Sequence, residues 1–216
     1  AAVQFRDGRI VACDAKPSRG MIDCGDLLVL PGIVDVHGDA FERAVMPRPG
    51  VAFPYETALA DVDGQLLANG ITTEFHGVTY SWEGGLRGRT YALRMLDTLD
   101  AMRPHLGAQH LMHLRFELHH ADGLADALAW MDAGRVHFLS FNDHLPVMRD
   151  KLGDARKLGQ YADRAECDVD TFLARFHAAA ANAGKVDTVT ATLARAARER
   201  GIRMASHDEP DVATRD

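Results

Sequence analysis

After about residue 30, short apolar runs alternate with segments whose apolar residues recur every three or four positions. The apolar runs predict β-strands at 33–38, 71–77, 109–120, 136–142 and 201–209. The segments of helical period predict helices at 56–70, 90–104, 123–134, 163–183 and 187–200. Strands that alternate with helices in this way predict parallel βα units.

The order of these elements favours a TIM-type (β/α) barrel over a dinucleotide-binding fold. No GxGxxG motif follows the first long strand, and polar residues cluster where several strands end, which is where barrel enzymes carry their chemistry. A complete eight-stranded barrel takes about 250 residues. We therefore expect an incomplete barrel in this 216-residue chain, with its C-terminal strands missing. The long polar segment 143–162 is predicted to be a loop over the site.

The first 30 residues have a different pattern from the rest of the chain. They consist of short strand-like stretches, and Asp7-Gly8 within VQFRDGRIVACDA predicts a hairpin turn. We therefore expect one small β unit at 1–30 and the barrel at 31–216.

Composition and charge narrow the classes of function. The net charge of -7 argues against general binding to nucleic acid or to anionic membranes. The 3 cysteines are scattered, which suits a reducing compartment better than a disulfide framework. No run reaches the ~18–20 apolar residues of a membrane span, and no signal peptide opens the sequence. We therefore expect a cytoplasmic protein.

A candidate metal site begins at the end of the first long strand, in VDVHGD. Side chains of a strand alternate with period two, so His37 and Asp39 share a face. An imidazole and a carboxylate placed this way can reach one divalent ion. On these two residues alone, a simple polar loop start remains the alternative.

The strand 109–120 strengthens the case for a metal. One of its faces carries His113, Arg115, Glu117 and His119, which is unusual for the interior of a barrel, since buried charges need partners or metals. Glu117, near the end of the strand, is placed to bridge two ions. The alternative is an edge strand with this face in solvent.

Two further histidines directly follow predicted strands. They are His144 after VHFLSFND and His207 after GIRMAS, both where barrel enzymes carry catalytic side chains. His76 ends the strand ITTEFHG and is interpreted as a residue that orients a metal ligand. Each alone is more often a surface or structural histidine, and it is their joint placement that indicates a metal site.

Several motifs together resemble a known family. LVLPGIVDVHGD is similar to the entry into the barrel of the amidohydrolase superfamily, although that superfamily usually has HxH where this chain has HxD. HGDAFERAVMPRPGVAFP, HLRFEL, SFNDHLP and SHDE then resemble one branch, the alpha-D-ribose 1-methylphosphonate 5-triphosphate diphosphatases of the carbon–phosphorus lyase pathway. The resemblance runs from about residue 20 to the end, and MPRPGV is its most specific part.

This resemblance implies a fold, an activity and a ligand set. The fold would be a metal-dependent barrel beside an incomplete N-terminal β-sandwich. The activity would be hydrolysis of the 5-triphosphate to a 5-phosphate and pyrophosphate, using one or two divalent ions, with zinc favoured over manganese or iron. By matching position, the metal ligands would be His37, Asp39, Glu117, His144 and His207. The aspartate that usually acts as general base in the last strand of that superfamily has no counterpart in this chain.

A triphosphate substrate implies cationic side chains around it. The candidates are loop or strand-end arginines, namely Arg43, Arg48, Arg87, Arg89 and Arg115, because guanidinium groups bind phosphate oxygens bidentately. The segment 82–89, WEGGLRGR, fits either a backbone nest around phosphate or a flexible solvated loop. Both interpretations stay open at the level of sequence.

Two other classes of function compete with this hypothesis. A different amidohydrolase would use the same metal ligands on a C–N bond, as a cyclic amidase or deaminase, but a neutral substrate needs few arginines. A shortened barrel would also suit a non-catalytic metal-binding or partner-binding module. For the favoured hypothesis the partner is a small phosphorylated ribose phosphonate, with neither nucleic acid nor membrane, and a homo-oligomer stays open.

Overall fold

The computed structural model describes residues 2–7, 9–14, 16, 18–48 and 50–206. The chain divides into two units, residues 1–31 and residues 32–216. In the first unit, β1 (Gln4–Arg6) pairs antiparallel with β2 (Arg9–Ala12), as the predicted hairpin requires. Gly8 of the predicted turn lies outside the described residues. The described part of this unit is a two-stranded sheet, so the prediction of a partial β-sandwich is wrong.

The second unit is built on a parallel sheet of five strands in the order β3-β4-β5-β6-β7. The strands are β3 (Ile33–Gly38), β4 (Ile71–Tyr80), β5 (Gln109–Glu117), β6 (Phe138–Asn142) and β7 (Arg203–Ser206). The helices between them are α1 (Ala40–Val45), α2 (Tyr55–Ala68), α3 (Arg89–Met102), α4 (Leu124–Asp132), α5 (Leu145–Arg149), α6 (Ala155–Arg164), α7 (Val169–Ala180) and α8 (Val186–Glu199). The predicted alternation of strands and helices is therefore confirmed.

The predicted TIM-type barrel is wrong for the part of the chain that the structure describes. Each strand pairs only with its neighbours along the chain, and β3 and β7 form two separate edges of the sheet. Alternation of strands and helices determines that the strands are parallel. It does not determine whether the first and last strands meet, because closure depends on long-range pairing that leaves no periodic signal in the sequence.

The main core lies on the face of the sheet that carries the connecting helices. Tyr80, Leu114, Phe116 and Leu139 point to this face, and each is at most 2 % exposed. Trp130 of α4 packs against Tyr80, with ring centroids 4.9 Å apart. Burial of a large apolar side chain contributes about 1.5–3 kcal/mol, so this face anchors the strands whose ends carry the candidate site.

A second hydrophobic cluster forms where a loop was predicted. Residues 145–180, here called the three-helix segment, bury Leu145, Phe172 and Phe176 together, and Trp82 packs against them. The prediction of an open loop at 143–162 is therefore wrong, since this stretch contains α5 and α6. The predicted helix at 163–183 is interrupted, and α7 starts anew after Asp168, whose carboxylate accepts a hydrogen bond from the Thr171 N–H at 2.7 Å.

Candidate metal and anion site

His37 and Asp39 lie at the C-terminal end of β3 and in the turn after it. Nε2 of His37 is 3.8 Å from Oδ1 of Asp39, and both side chains are reached by solvent. Gly38 between them is buried and faces the helix side of the sheet, where a Cβ atom would overlap the carboxyl group of Glu74. The HGD motif therefore presents an imidazole and a carboxylate to one side, while its glycine makes room for Glu74 on the other.

Glu74 is a buried carboxyl group directly beneath this turn. It is 1 % exposed, and its Oε2 has no hydrogen-bond partner among the described residues. Burial, together with the charges of Asp35 and Asp39, raises the pKa of Glu74 to about 7. The sequence did not single out Glu74, which lies in β4 between Thr73 and Phe75.

His113 of β5 is a further residue that the sequence interpretation left without a role. Its ring meets that of His37 edge-on, with centroids 5.2 Å apart. Nδ1 donates a hydrogen bond to the Val36 carbonyl at 3.0 Å, and the buried Nε2 has no partner among the described residues. Burial, followed by the proximity of His37, lowers the pKa of His113 to about 4, so the ring is neutral and its lone pair lies at Nε2.

Glu117 and His144 form a second pair at the ends of β5 and β6. Glu117 is 1 % exposed, and its Oε1 accepts a hydrogen bond from Nδ1 of His144. Its Oε2 accepts from the backbone N–H of His144 at 3.3 Å. This contact fixes the orientation of the imidazole and places the lone pair of the neutral ring at Nε2, the nitrogen that a metal would use.

Arg115 lies on the same face of β5, between the two pairs. Its Nη1 is 3.7 Å from Oδ1 of Asp39. Burial lowers the pKa of Arg115, the charge of Asp39 raises it, and the nearby charge of Arg87 lowers it. The side chain is 8 % exposed, yet an arginine in a protein stays protonated. The face therefore holds a fixed positive charge among metal-type donors.

The donor set fits a divalent ion in its chemistry, but the described residues do not close a metal site. Imidazole nitrogens and carboxylate oxygens are ligands for zinc, manganese and iron. Among the described residues, no three or more His, Cys, Asp or Glu side chains converge on a common point. His207 lies outside the described residues. The unpartnered Nε2 of His113 is the observation that most favours a ligand on this face.

Two of the predicted phosphate-binding arginines are engaged with carboxylates. Nη1 of Arg87 is 3.1 Å from Oε1 of Glu83, and this pair is largely buried. Arg89 binds Asp126 through two hydrogen bonds, of 2.8 and 3.0 Å, and the hydroxyl of Tyr80 donates to the same carboxylate. Arg89 is thereby directed to α4, whereas Arg87 stays within electrostatic range of Arg115.

The other two predicted arginines lie after β3 and are exposed. Arg43 is in the last turn of α1 and lines an open groove of about 660 Å³ together with Phe53 and Thr57. Arg48 forms an isolated bridge with Val51. The structure thus brings Arg115 to the candidate metal ligands, while Arg43 and Arg48 lie on the segment that follows Asp39.

The glycine-rich segment 82–88 is packed against the three-helix segment. Glu83 is 1 % exposed, and its carboxylate receives both Arg87 and Arg164. Arg175 donates from Nη1 to the Glu83 carbonyl at 2.6 Å. Gly84 has φ 85, and a Cβ atom there would lie 2.5 Å from Nη1 of Arg175. The glycines here allow arginine side chains to approach the backbone closely. The sequence had suggested either a phosphate nest or a solvated loop for this segment, and neither included this contact.

Comparison with known proteins gives one distant relative. The chain is 27% identical over 189 residues to alpha-D-ribose 1-methylphosphonate 5-triphosphate diphosphatase of Escherichia coli (strain K12). The match covers 84% of this chain and 49% of the relative, so the chain spans about half the length of the curated protein that it matches. No family model and no solved structure matches the chain. Among the described residues, no helix is long and apolar enough to cross a membrane.

Proposed function

We propose that the protein is a hydrolase of alkylphosphonate breakdown that cleaves alpha-D-ribose 1-methylphosphonate 5-triphosphate to the 5-phosphate and pyrophosphate. The relative in Escherichia coli bears the name of this activity. The structural observation that carries the proposal is the grouping of His37–Asp39, Glu117–His144 and Arg115 at one end of a parallel sheet. Parallel α/β proteins place their ligands at this end.

The metal ligands in this proposal are His37, Asp39, Glu117 and His144, with His207 as a fifth. Zinc is the favoured ion, and manganese and iron are alternatives. When bound, a divalent ion acts as a Lewis acid and lowers the pKa of water to about 7. Glu117 serves the site by holding His144 through Nδ1, which assigns Nε2 as the nitrogen that would bind the ion.

Arg115 and Arg87 bind the negative charge of the substrate. A triphosphate carries several charges, and a guanidinium held on a buried strand binds phosphoryl oxygens with its geometry already fixed. Nη1 of Arg115 lies 3.7 Å from Oδ1 of Asp39, so its positive charge is held on the same face as the proposed metal ligands. In the reaction, water adds to a phosphorus atom, the phosphoanhydride bond breaks, and pyrophosphate leaves.

Phosphorus NMR tests the proposal on the purified protein with divalent metal and the 5-triphosphate. Signals of pyrophosphate and of ribose 1-methylphosphonate 5-phosphate should appear together. Arg115→Ala should slow turnover by at least 100-fold, as expected for the loss of one charge-stabilising group. The matched control is Arg149→Ala, an exposed arginine at the end of α5, which should leave the rate unchanged. Release of inorganic phosphate alone, or no turnover by the metal-loaded protein, would overturn the proposal.

A further inference from the structure

Two buried histidines and the part-buried Asp63 form a hydrogen-bonded chain on the helix side of the sheet. Nε2 of His76, in β4, is 2.8 Å from Nδ1 of His110, in β5, and the two rings are stacked. Nε2 of His110 is in turn 2.9 Å from Oδ1 of Asp63, in α2. The chain thus connects one helix with two neighbouring strands, behind the face that carries the candidate metal site.

Asp63 determines the direction of the hydrogen bonds in this chain. Its carboxylate accepts from the backbone N–H groups of Gly107 at 3.0 Å and Ala108 at 2.8 Å. Burial raises the pKa of Asp63, but the hydrogen bonds from Ala108, His110 and Gly107 outweigh that effect and lower it. An ionised carboxylate only accepts hydrogen bonds, so Nε2 of His110 carries a proton and donates it.

The tautomer of His110 in turn determines which nitrogen of His76 donates a hydrogen bond. In neutral His110, the proton at Nε2 leaves a lone pair at Nδ1, which therefore accepts from Nε2 of His76. Burial, followed by the proximity of His110, lowers the pKa of His76 to about 3, so this ring is neutral. Its second nitrogen, Nδ1, is then a hydrogen-bond acceptor. That atom is buried and has no partner among the described residues.

A small cavity lies beside His76. His76 lines it together with Gly38, Asp39, Thr79 and Tyr91, and its volume is about 10 Å³. A space of roughly 10–15 Å³, measured in this way, holds one water molecule where polar partners are present. A buried acceptor without a donor costs about 1–3 kcal/mol, so a donor of the size of water would relieve that cost.

We propose that this cavity is a binding site for a single water molecule, which donates a hydrogen bond to Nδ1 of His76. The Asp63–His110 pair fixes His76 in the tautomer that accepts this bond. Asp39 and Thr79 also line the cavity, so the water lies between β4 and the turn after β3. This inference does not rest on the proposed function.

Nitrogen-15 NMR of the histidine-labelled protein tests the proposal at about pH 8.5, above the usual titration of histidine. Long-range correlations from the ring protons distinguish a protonated nitrogen from a bare one. We expect His76 to be protonated at Nε2 and bare at Nδ1, with cross-relaxation between its Hε1 proton and a long-lived water. A protonated Nδ1, or no contact with water, would overturn the proposal.

His110→Phe tests whether the chain fixes the tautomer of His76. The substitution removes Nδ1 of His110, which accepts the hydrogen bond from Nε2 of His76, while keeping a flat ring. We therefore expect both tautomers of His76 to be populated. His105→Phe is the matched control, because His105 is exposed, and it should leave the His76 signals unchanged. An unchanged tautomer in His110→Phe would show that the chain does not set it. The measurement on the unsubstituted protein stands even if this variant does not fold.

Discussion

At the scale of single residues, Gly38 shows why the HGD motif needs its central glycine. A Cβ atom at this position would overlap the buried carboxyl group of Glu74. We expect Gly38→Ala to lower the free energy of unfolding by on the order of 1–3 kcal/mol, the usual cost of overpacking, as measured by urea denaturation. Gly64→Ala is the control, since a Cβ there meets nothing within 4 Å. In mid-helix it should raise stability by up to about 1 kcal/mol.

A double-mutant cycle tests whether the cost of Gly38→Ala comes from overlap with the Glu74 carboxyl group or from placing any side chain at this turn. Glu74→Ala removes the group that a new Cβ would strike, so Gly38→Ala should cost much less in that background. An equal cost of Gly38→Ala with and without Glu74 would contradict the explanation.

Glu74 also predicts a pH dependence of stability in the metal-free protein. Its pKa in the folded state is raised from 4.5 to about 7. The stability associated with the protonated carboxyl group is therefore fully present below about pH 4.5 and is lost as the pH rises through about 7. Glu74→Gln should be more stable than the natural protein at pH 8, by on the order of 3 kcal/mol, and equally stable at pH 4.

Denaturation series in EDTA at several pH values give this comparison directly. Glu56→Gln, at an exposed glutamate, should show no such divergence between pH 4 and pH 8. If the difference in the free energy of unfolding between Glu74→Gln and the natural protein stayed constant from pH 4 to pH 8, the pKa of Glu74 would be an ordinary one.

At the scale of elements, Glu83 connects the segment after β4 to the three-helix segment. Its buried carboxylate binds arginines from both parts, Arg87 and Arg164. Removing the negative charge leaves these two guanidinium groups uncompensated. We therefore expect Glu83→Gln to lower the free energy of unfolding by about 3–5 kcal/mol, and hydrogen exchange to accelerate in α6 and α7 before it does in β4.

The pair formed by Arg89 and Asp126 offers a contrast to Glu83. Arg89 has a side chain that is 59% exposed, and exposed ion pairs contribute at most about 1 kcal/mol. Arg89→Ala should therefore leave the midpoint of urea denaturation almost unchanged and leave hydrogen exchange in α6 and α7 as it was. If Glu83→Gln and Arg89→Ala reduced the protection of α6 and α7 from hydrogen exchange equally, Glu83 would have no special role in holding these helices.

The elements that the sequence predicted well are those with a periodic pattern. The five parallel strands follow from apolar runs between helical segments. The central strand β5 is buried along almost its whole length, although one of its faces is polar. Residues 143–162 were predicted as a loop from their polar composition, although Leu158, Tyr161 and Ala162 recur at helical spacing in α6 and pack in the second cluster. Their helical state depends on Asp154, whose carboxylate caps α6, and on packing against Trp82.

At the scale of the whole molecule, the sequence predicted which residues share a face of the sheet better than it predicted which residues contact one another. The period-two alternation placed Arg115 and Glu117 on one face with His113, and the structure keeps them there. The ion pairs of Arg164 with Glu83 and of Arg89 with Asp126 depend on contacts between segments far apart in the chain. Whether the first and last strands of the sheet pair, and whether His110 contacts Asp63, also depends on residues far apart in the chain. No local spacing in the sequence predicts either.

The central claim is that the C-terminal end of this sheet binds a divalent ion through Glu117 and its neighbours. Isothermal titration of the metal-free protein with zinc tests it most directly, comparing the natural chain with Glu117→Gln and with the exposed control Glu56→Gln. We predict saturable binding to the natural chain and to the control, with affinity reduced at least tenfold in Glu117→Gln. Equal affinity in all three proteins, or no binding to the natural chain, would contradict the account.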